Sequence, residues 1–253
     1  MTELAFLNGL LIGGLALSGI VLVVLFLVPA PYGRHQRRGW GITVPDKVGW
    51  IVMESPASLG VALLFVLTER RRSAASWVFF SLWQMHYVHR AFIYPLGIRS
   101  KGKHMPLSIV AMGLTFNLVN AYLNGRYLFT LSSEYPLDWL WDPRFLTGLA
   151  LFFCGYTINR RADAVLRQLR GPGESGYRIP RGGLYRWVSC PNYLGEIIEW
   201  VGWALATWSL PGMAFAVWTA ANLVPRAWFH HRWYQQHFDD YPENRRAIIP
   251  GLL

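Results

Sequence analysis

Apolar residues fall in seven long blocks along this chain, at approximately 4–30, 48–68, 74–98, 106–124, 144–169, 190–209 and 211–233. About 20 residues of helix cross a hydrocarbon layer of roughly 30 Å, and each block meets or approaches that length. The pattern predicts an all-α polytopic membrane protein, a single domain over residues 1–253 with seven transmembrane helices. The first block is apolar on every side. The second, third, fifth and seventh carry charged or strongly polar residues at helical spacing. Glu3 precedes the first block and no basic residue does, so the positive region of a cleavable signal peptide is missing. That block is expected to remain as a span.

Charge then orients the blocks. The connections 31–47, 99–105 and 170–189 and the tail from Arg232 carry 14 Lys and Arg, against 4 on the opposite side. By the positive-inside rule the N-terminus lies outside or in a lumen and the C-terminus in the cytoplasm. The protein is expected to be integral and multi-pass, in an endoplasmic-reticulum or bacterial inner membrane.

Composition agrees: 53% of residues are hydrophobic, 13 are Trp, and the mean hydropathy is +0.24. The net charge of +10 does not point to nucleic acid, because the charges sit in short clusters between apolar runs. Cys154 and Cys190 have neither a disulfide framework nor a zinc spacing. His230 and His231 are adjacent, so on a helix they point about 100° apart and do not face one ion. His86 and His89 have no carboxylate beside them in sequence. A metal is not indicated.

Intramembrane polar residues mark function by default. On this topology five blocks bring such residues to the cytoplasmic half. The second contributes Glu54, and the third Tyr87, Arg90 and Tyr94, at i, i+3, i+7. The fifth has Asn159 and Asp163, with Arg170 just beyond. The sixth has Asn192, Glu196 and Glu199, and the seventh Arg226, His230 and Tyr234. Their convergence predicts a polar cavity open to the cytoplasm, with Arg90, Arg170 and Arg226 suited to an anionic ligand. The loop Gly171–Gly183, rich in Gly and Arg, is a candidate cover for it. Neither a Rossmann fingerprint nor a Walker loop is present. Asn117, Asn120 and Asn124 run toward the other face and are read as structural, with Asn120 near mid-membrane.

The stretch Tyr177-Arg-Ile-Pro-Arg-Gly-Gly-Leu-Tyr, with Pro191-Asn-Tyr-Leu-Gly-Glu-Ile-Ile-Glu-Trp, resembles the C-terminal region of the steroid 5α-reductases. So do Arg226-Ala-Trp-Phe-His-His-Arg-Trp-Tyr234 and Asp240-Tyr-Pro-Glu-Asn-Arg-Arg-Ala-Ile-Ile-Pro250. Met53-Glu-Ser-Pro and His86-Tyr-Val-His-Arg-Ala-Phe-Ile-Tyr94 resemble matching segments further back. The resemblance implies a seven-helix enzyme that reduces the Δ4 double bond of a 3-oxo steroid with NADPH. It implies that Glu54 and Tyr87 hold the substrate ketone. It further implies that Arg90, Tyr94, Asn159, Asp163, Arg170, Asn192, Glu196, Arg226, His230 and Tyr234 line the dinucleotide site, and that Glu199 is structural. The segment 95–103 departs from the family in length and composition.

The residue chemistry is compatible. Enone reduction builds negative charge on the carbonyl oxygen, and donors aimed there stabilise the transition state. Tyr87 is one such donor, and Glu54 is another when it carries its proton. Alternative substrates on the same fold are a polyprenal or a trans-2-enoyl thioester. A membrane S-adenosylmethionine-dependent methyltransferase or a non-catalytic sterol-binding protein would change the class.

Overall fold

The computed structural model describes residues 2–29, 35, 39–97, 103–169 and 176–253. Residues 170–175, Arg170 among them, and the 98–102 connection lie outside the described residues. Each of the seven apolar blocks contains a long helix: α1 (Glu3–Leu27), α2 (Asp46–Leu67), α3 (Ala74–Val88), α4 (Leu107–Arg126), α5 (Pro143–Gln168), α6 (Pro191–Thr207) and α7 (Leu210–His237). Wide π-turns extend α3 over His89–Ile93 and α4 over Tyr127–Leu131. Among the described residues, α1, α2 and the run Leu107–Leu131 are long and apolar enough to cross a membrane by length and composition. The remaining helices carry more charge, because their polar faces turn toward the interior.

α1 begins at a Thr2 cap, whose Oγ1 accepts from the Ala5 amide at 3.3 Å. It buries little beyond Leu7 and Leu11, which pack on Leu123 of α4. At that end Arg126 donates from Nε and Nη2 to the two Glu3 carboxylate oxygens, both at 2.7 Å.

α2 and α4 form one close pair. Strands β1 (Thr43–Pro45) and β2 (His104–Pro106) pair antiparallel, with Val44 opposite Met105, and each leads directly into one of these helices. The two helices thus start side by side and run parallel. Their glycines face the ends of side chains: a methyl on Gly113 would lie 2.9 Å from the Met53 sulfur, and one on Gly125 2.7 Å from Leu64 Cδ1.

α5 and α6 form a second pair of different character. Gly148 and Gly155 on α5, and Gly195 and Gly202 on α6, recur at seven residues on antiparallel helices, so the backbones touch. A methyl on Gly148 would lie 2.6 Å from the Gly202 carbonyl oxygen, and one on Gly155 2.8 Å from the Glu199 Cα. α5 starts at Asp142, whose carboxylate accepts from the Arg144 backbone and guanidinium. Those bonds hold its carboxyl down, at about 2.

The α6–α7 turn passes through Trp208 in the left-handed region (φ 43°) and is closed by Ser209, whose Oγ accepts from the Gly212 amide at 3.1 Å. Thr207 and Ser209 hydroxyls meet at 2.9 Å, and both residues are buried. Ser209→Ala is therefore expected to cost about 1–2 kcal/mol of stability, as lost N-caps do. Thermal unfolding in detergent checks this, and activity per folded molecule is expected to be unchanged.

α3 threads between the pairs. Phe79, Trp83 and Tyr87 pack with Phe152, Trp200, Trp203 and Phe215 in the largest core cluster. Trp83 Nε1 donates to the Ala57 carbonyl at 2.8 Å, and Gln84 exchanges hydrogen bonds with Ser58. The chain after α7 returns to the start of α6. There the Ser189 amide donates to the Arg246 carbonyl at 2.8 Å and the Cys190 amide to that of Ala247 at 3.1 Å.

Candidate active site

A cavity of about 480 Å³ opens between α1, α2, α3, α4, α6 and α7. Its walls are mostly apolar, from Val21, Val24 and Leu25 of α1, Trp50 and Met53 of α2, Met112 and Phe116 of α4, and Phe215 and Trp218 of α7. Its polar side chains are Glu54, His86, Tyr87, Arg90, Asn117, Glu196, Thr219, Asn222 and Arg226. Apolar walls with a small convergent polar set are the usual form of a site for an apolar small molecule.

Glu54 sits on the α2 face toward α3 and α4. Its Oε1 lies 3.6 Å from Arg90 Nε, and its Oε2 accepts from Asn117 Nδ2 at 3.3 Å. The same Asn117 nitrogen donates to the Met53 carbonyl at 2.7 Å, which fixes the amide. Tyr87 is 3% exposed; its ring lies 4.9 Å from that of Trp83 and 5.7 Å from that of Trp200, and its hydroxyl oxygen accepts from Asn120 Nδ2 at 3.3 Å. Arg90 falls inside the π-turn of α3, a kind of distortion often found at functional positions. Its guanidinium lies over Trp50 and Tyr94, at 4.6 and 5.2 Å from the ring centroids.

Behind Glu196 the α5–α6 contact carries a compact polar group. Asn159 Nδ2 donates to the Asn192 carbonyl at 3.0 Å and to Glu196 Oε2 at 3.4 Å, while Asn192 Nδ2 donates to Asp163 Oδ1 at 3.1 Å. Such short side chains reach across only because the glycines let the helices close. On α7, Arg226 Nη1 donates to Asn222 Oδ1 at 3.2 Å, and its guanidinium lies 5.6 Å from the Tyr193 ring. His230 Nε2 lies 3.2 Å from the Tyr193 hydroxyl. Its ring stacks on His35, with centroids 5.1 Å apart.

Of the residues singled out from sequence, Glu54, Tyr87, Arg90, Glu196 and Arg226 line the cavity. Tyr94, Asn159, Asp163 and Asn192 support them from behind. His230 is tied to Tyr193 at the edge. Tyr234 instead stacks on Tyr241, at 5.3 Å, in a cluster with Ile179. Arg170 lies outside the described residues.

The structure adds two features to the reading from sequence. Asn117 and Asn120 reach Glu54 and Tyr87, whereas the sequence placed their row toward the other face. Glu199, fully buried, receives a partner across helices in His86, whose Nδ1 lies 2.8 Å from Oε1. Among the described residues, no three His, Cys, Asp or Glu side chains are grouped to hold a metal ion.

The family model described as 3-oxo-5-alpha-steroid 4-dehydrogenase matches residues 103–253. The chain is 44% identical to 3-oxo-5-alpha-steroid 4-dehydrogenase 1 of Bos taurus over 243 residues, 94% of this chain and 93% of the bovine one. It is 45% identical to the protein of the same name from Homo sapiens, over 88% of this chain and 86% of that one. It is 43% identical to steroid 5-alpha-reductase DET2 of Arabidopsis thaliana, over 90% of this chain and 89% of that one. Animal and plant relatives are thus matched to a similar extent. With a model matching more than half the sequence and relatives covering nearly all of it, the chain belongs to the 3-oxo-5-alpha-steroid 4-dehydrogenase family.

Proposed function

We propose that this chain is an oxidoreductase acting on a CH–CH group, and that it reduces the Δ4 double bond of a 3-oxo-Δ4 steroid to the 5α-saturated ketone with NADPH. The observation that carries the reading is the meeting of Glu54 and Tyr87 in one apolar cavity, each held by its own asparagine of α4.

The residues present fit a dinucleotide. Carboxylates and amides at the α5–α6 contact (Asn159, Asp163, Asn192, Glu196) suit a carboxamide and ribose hydroxyls, and Arg90 and Arg226 suit phosphate. These side chains would hold NADPH, together with Tyr94 and His230. When bound, the nicotinamide would supply the hydride that the β-carbon of the enone accepts, and the α-carbon would take a proton from solvent to give the saturated ketone.

The protein's own part lies at the ketone. Tyr87 donates its hydroxyl proton to the carbonyl oxygen, and Glu54 donates as a carboxylic acid from the other side. Both bonds strengthen as the oxygen becomes an enolate oxygen, which is where preorganised donors lower a barrier. Trp50, Met53, Phe116 and Phe215 keep water from the carbonyl, so the two donors act in a medium of low dielectric constant.

The same reading makes the chain one seven-span unit with the N-terminus outside and the polar end of the cavity facing the cytoplasm. It is supported by the Lys and Arg asymmetry and by the polar residues at the cytoplasmic ends of α5, α6 and α7.

Membranes containing the protein, supplied with NADPH and a 3-oxo-Δ4 steroid, are expected to yield the 5α-saturated ketone, identified by chromatography and mass. Recovery of unaltered steroid, alongside turnover of a polyprenal or an enoyl thioester, would overturn the assignment of substrate.

A further inference from the structure

Two of the three asparagines of α4, Asn124 and Asn120, are joined in a hydrogen-bonded row with a fixed direction. Trp203 Nε1 donates to Asn124 Oδ1 at 3.0 Å. Asn124 Nδ2 donates to Asn120 Oδ1 at 2.9 Å, and Asn120 Nδ2 donates to the Tyr87 hydroxyl oxygen at 3.3 Å. Asn124 is 1% exposed, and Trp203, Asn120 and Tyr87 are also buried.

The direction follows from the first member. An indole N–H can only donate, so Asn124 must present its oxygen to Trp203 and its nitrogen onward. Asn120 must then receive at its oxygen and give at its nitrogen, which leaves the Tyr87 oxygen as an acceptor. A hydroxyl that accepts from Asn120 turns its own proton elsewhere, and Tyr87 lines the cavity. Each amide that accepts at oxygen becomes a better donor at nitrogen, because such chains polarise cooperatively.

We propose that Trp203, Asn124 and Asn120 are positioning residues for the reduction: they aim the Tyr87 proton at the substrate ketone and strengthen it as a donor. This rests on the reading that Tyr87 polarises that ketone. A purely architectural row would need only satisfied partners. It would have no reason to end on a hydroxyl that lines the cavity beside Glu54, nor to run toward it.

The test uses Asn120→Asp and Asn124→Leu, each alone and combined with Tyr87→Phe, in the full-length protein. Steady-state kinetics are measured together with the infrared stretch of a steroid labelled with carbon-13 at the C3 ketone, bound with NADP⁺. Asp at 120 is the same size as Asn, so it keeps the fold. At the alkaline end of the pH profile, where it is ionised and where the comparison is made, it accepts from Tyr87 rather than donating to it. Its kcat is expected to fall by about 10- to 100-fold with KM little changed, and the carbonyl stretch to move back toward that of free steroid.

Asn124→Leu lies two hydrogen bonds from Tyr87 and is expected to lower kcat by about three- to tenfold with a smaller shift in the same sense. With Phe at 87, neither change is expected to move the stretch further. An unaltered stretch and kcat in Asn120→Asp would overturn the proposal, and so would an equal shift with Tyr or Phe at 87. A Tyr87→Phe protein with wild-type kcat and stretch would instead overturn the role given to Tyr87 itself.

Discussion

Tyr87→Phe is expected to lower kcat by about 10²–10³-fold, the usual cost of removing one donor to a developing oxyanion. The ring would keep its packing on Trp83 and Trp200, so the loss falls on the hydroxyl alone. Glu54→Gln is expected to lower kcat by about 10²-fold. Its amide would turn its oxygen toward Arg90 and Asn117 and leave a neutral N–H, a weaker donor than a carboxylic acid, toward the cavity. Neither side chain is assigned to the dinucleotide, so NADPH affinity, followed by its fluorescence, should stay within about twofold. Steroid-dependent NADPH oxidation measures the loss. Wild-type rates in both variants would remove the polarising pair from the mechanism.

The second large effect concerns stability. Gly155→Ala is expected to destabilise the fold by more than about 3 kcal/mol, although alanine favours helices by about 1 kcal/mol over glycine. The added methyl would sit 2.8 Å from the Glu199 Cα, and backbone cannot swing aside as a side-chain end can. Gly202→Ala meets the Gly148 carbonyl oxygen at 2.6 Å and should behave alike. Gly60→Ala meets only the Ala121 methyl, at 3.3 Å, and is expected to be tolerated. Thermal melting in detergent compares the three. Equal melting temperatures for Gly155→Ala and Gly60→Ala would refute the close backbone contact. Any Gly155→Ala protein that folds should also lose NADPH affinity, because Asn159 reaches the Asn192 carbonyl across this contact.

Hydropathy made the helices legible, since long apolar blocks admit few other structures in a membrane. It ended α7 near residue 233, whereas the helix continues to His237, because backbone hydrogen bonds carry a helix on after its apolar residues end. The strands 43–45 and 104–106 were not legible. Three residues carry no period, and each strand ends in proline. The π-turn at His89–Ile93 is likewise invisible to spacing. Within the site, helical period placed Glu54, Tyr87, Arg90 and Glu196 on inward faces. It could not reveal that His86 meets Glu199, 113 residues away, or that Asn120 reaches Tyr87, since cross-helix partners depend on how helices are rotated against each other.

The two glycine-bearing pairs also differ in compliance. Where α5 meets α6, main chain opposes main chain, and the spacing can hardly change. Where α2 meets α4, the glycines oppose methionine and leucine tips, and Met53, Met105 and Met112 continue into the cavity wall. Thioether side chains reshape at little cost. The α5–α6 seam behind Glu196 is thus a rigid gauge and the α2–α4 wall a cushion. Ligands of differing outline would be accommodated by give on the α2–α4 side, while the polar groups of α5 and α6 keep their places.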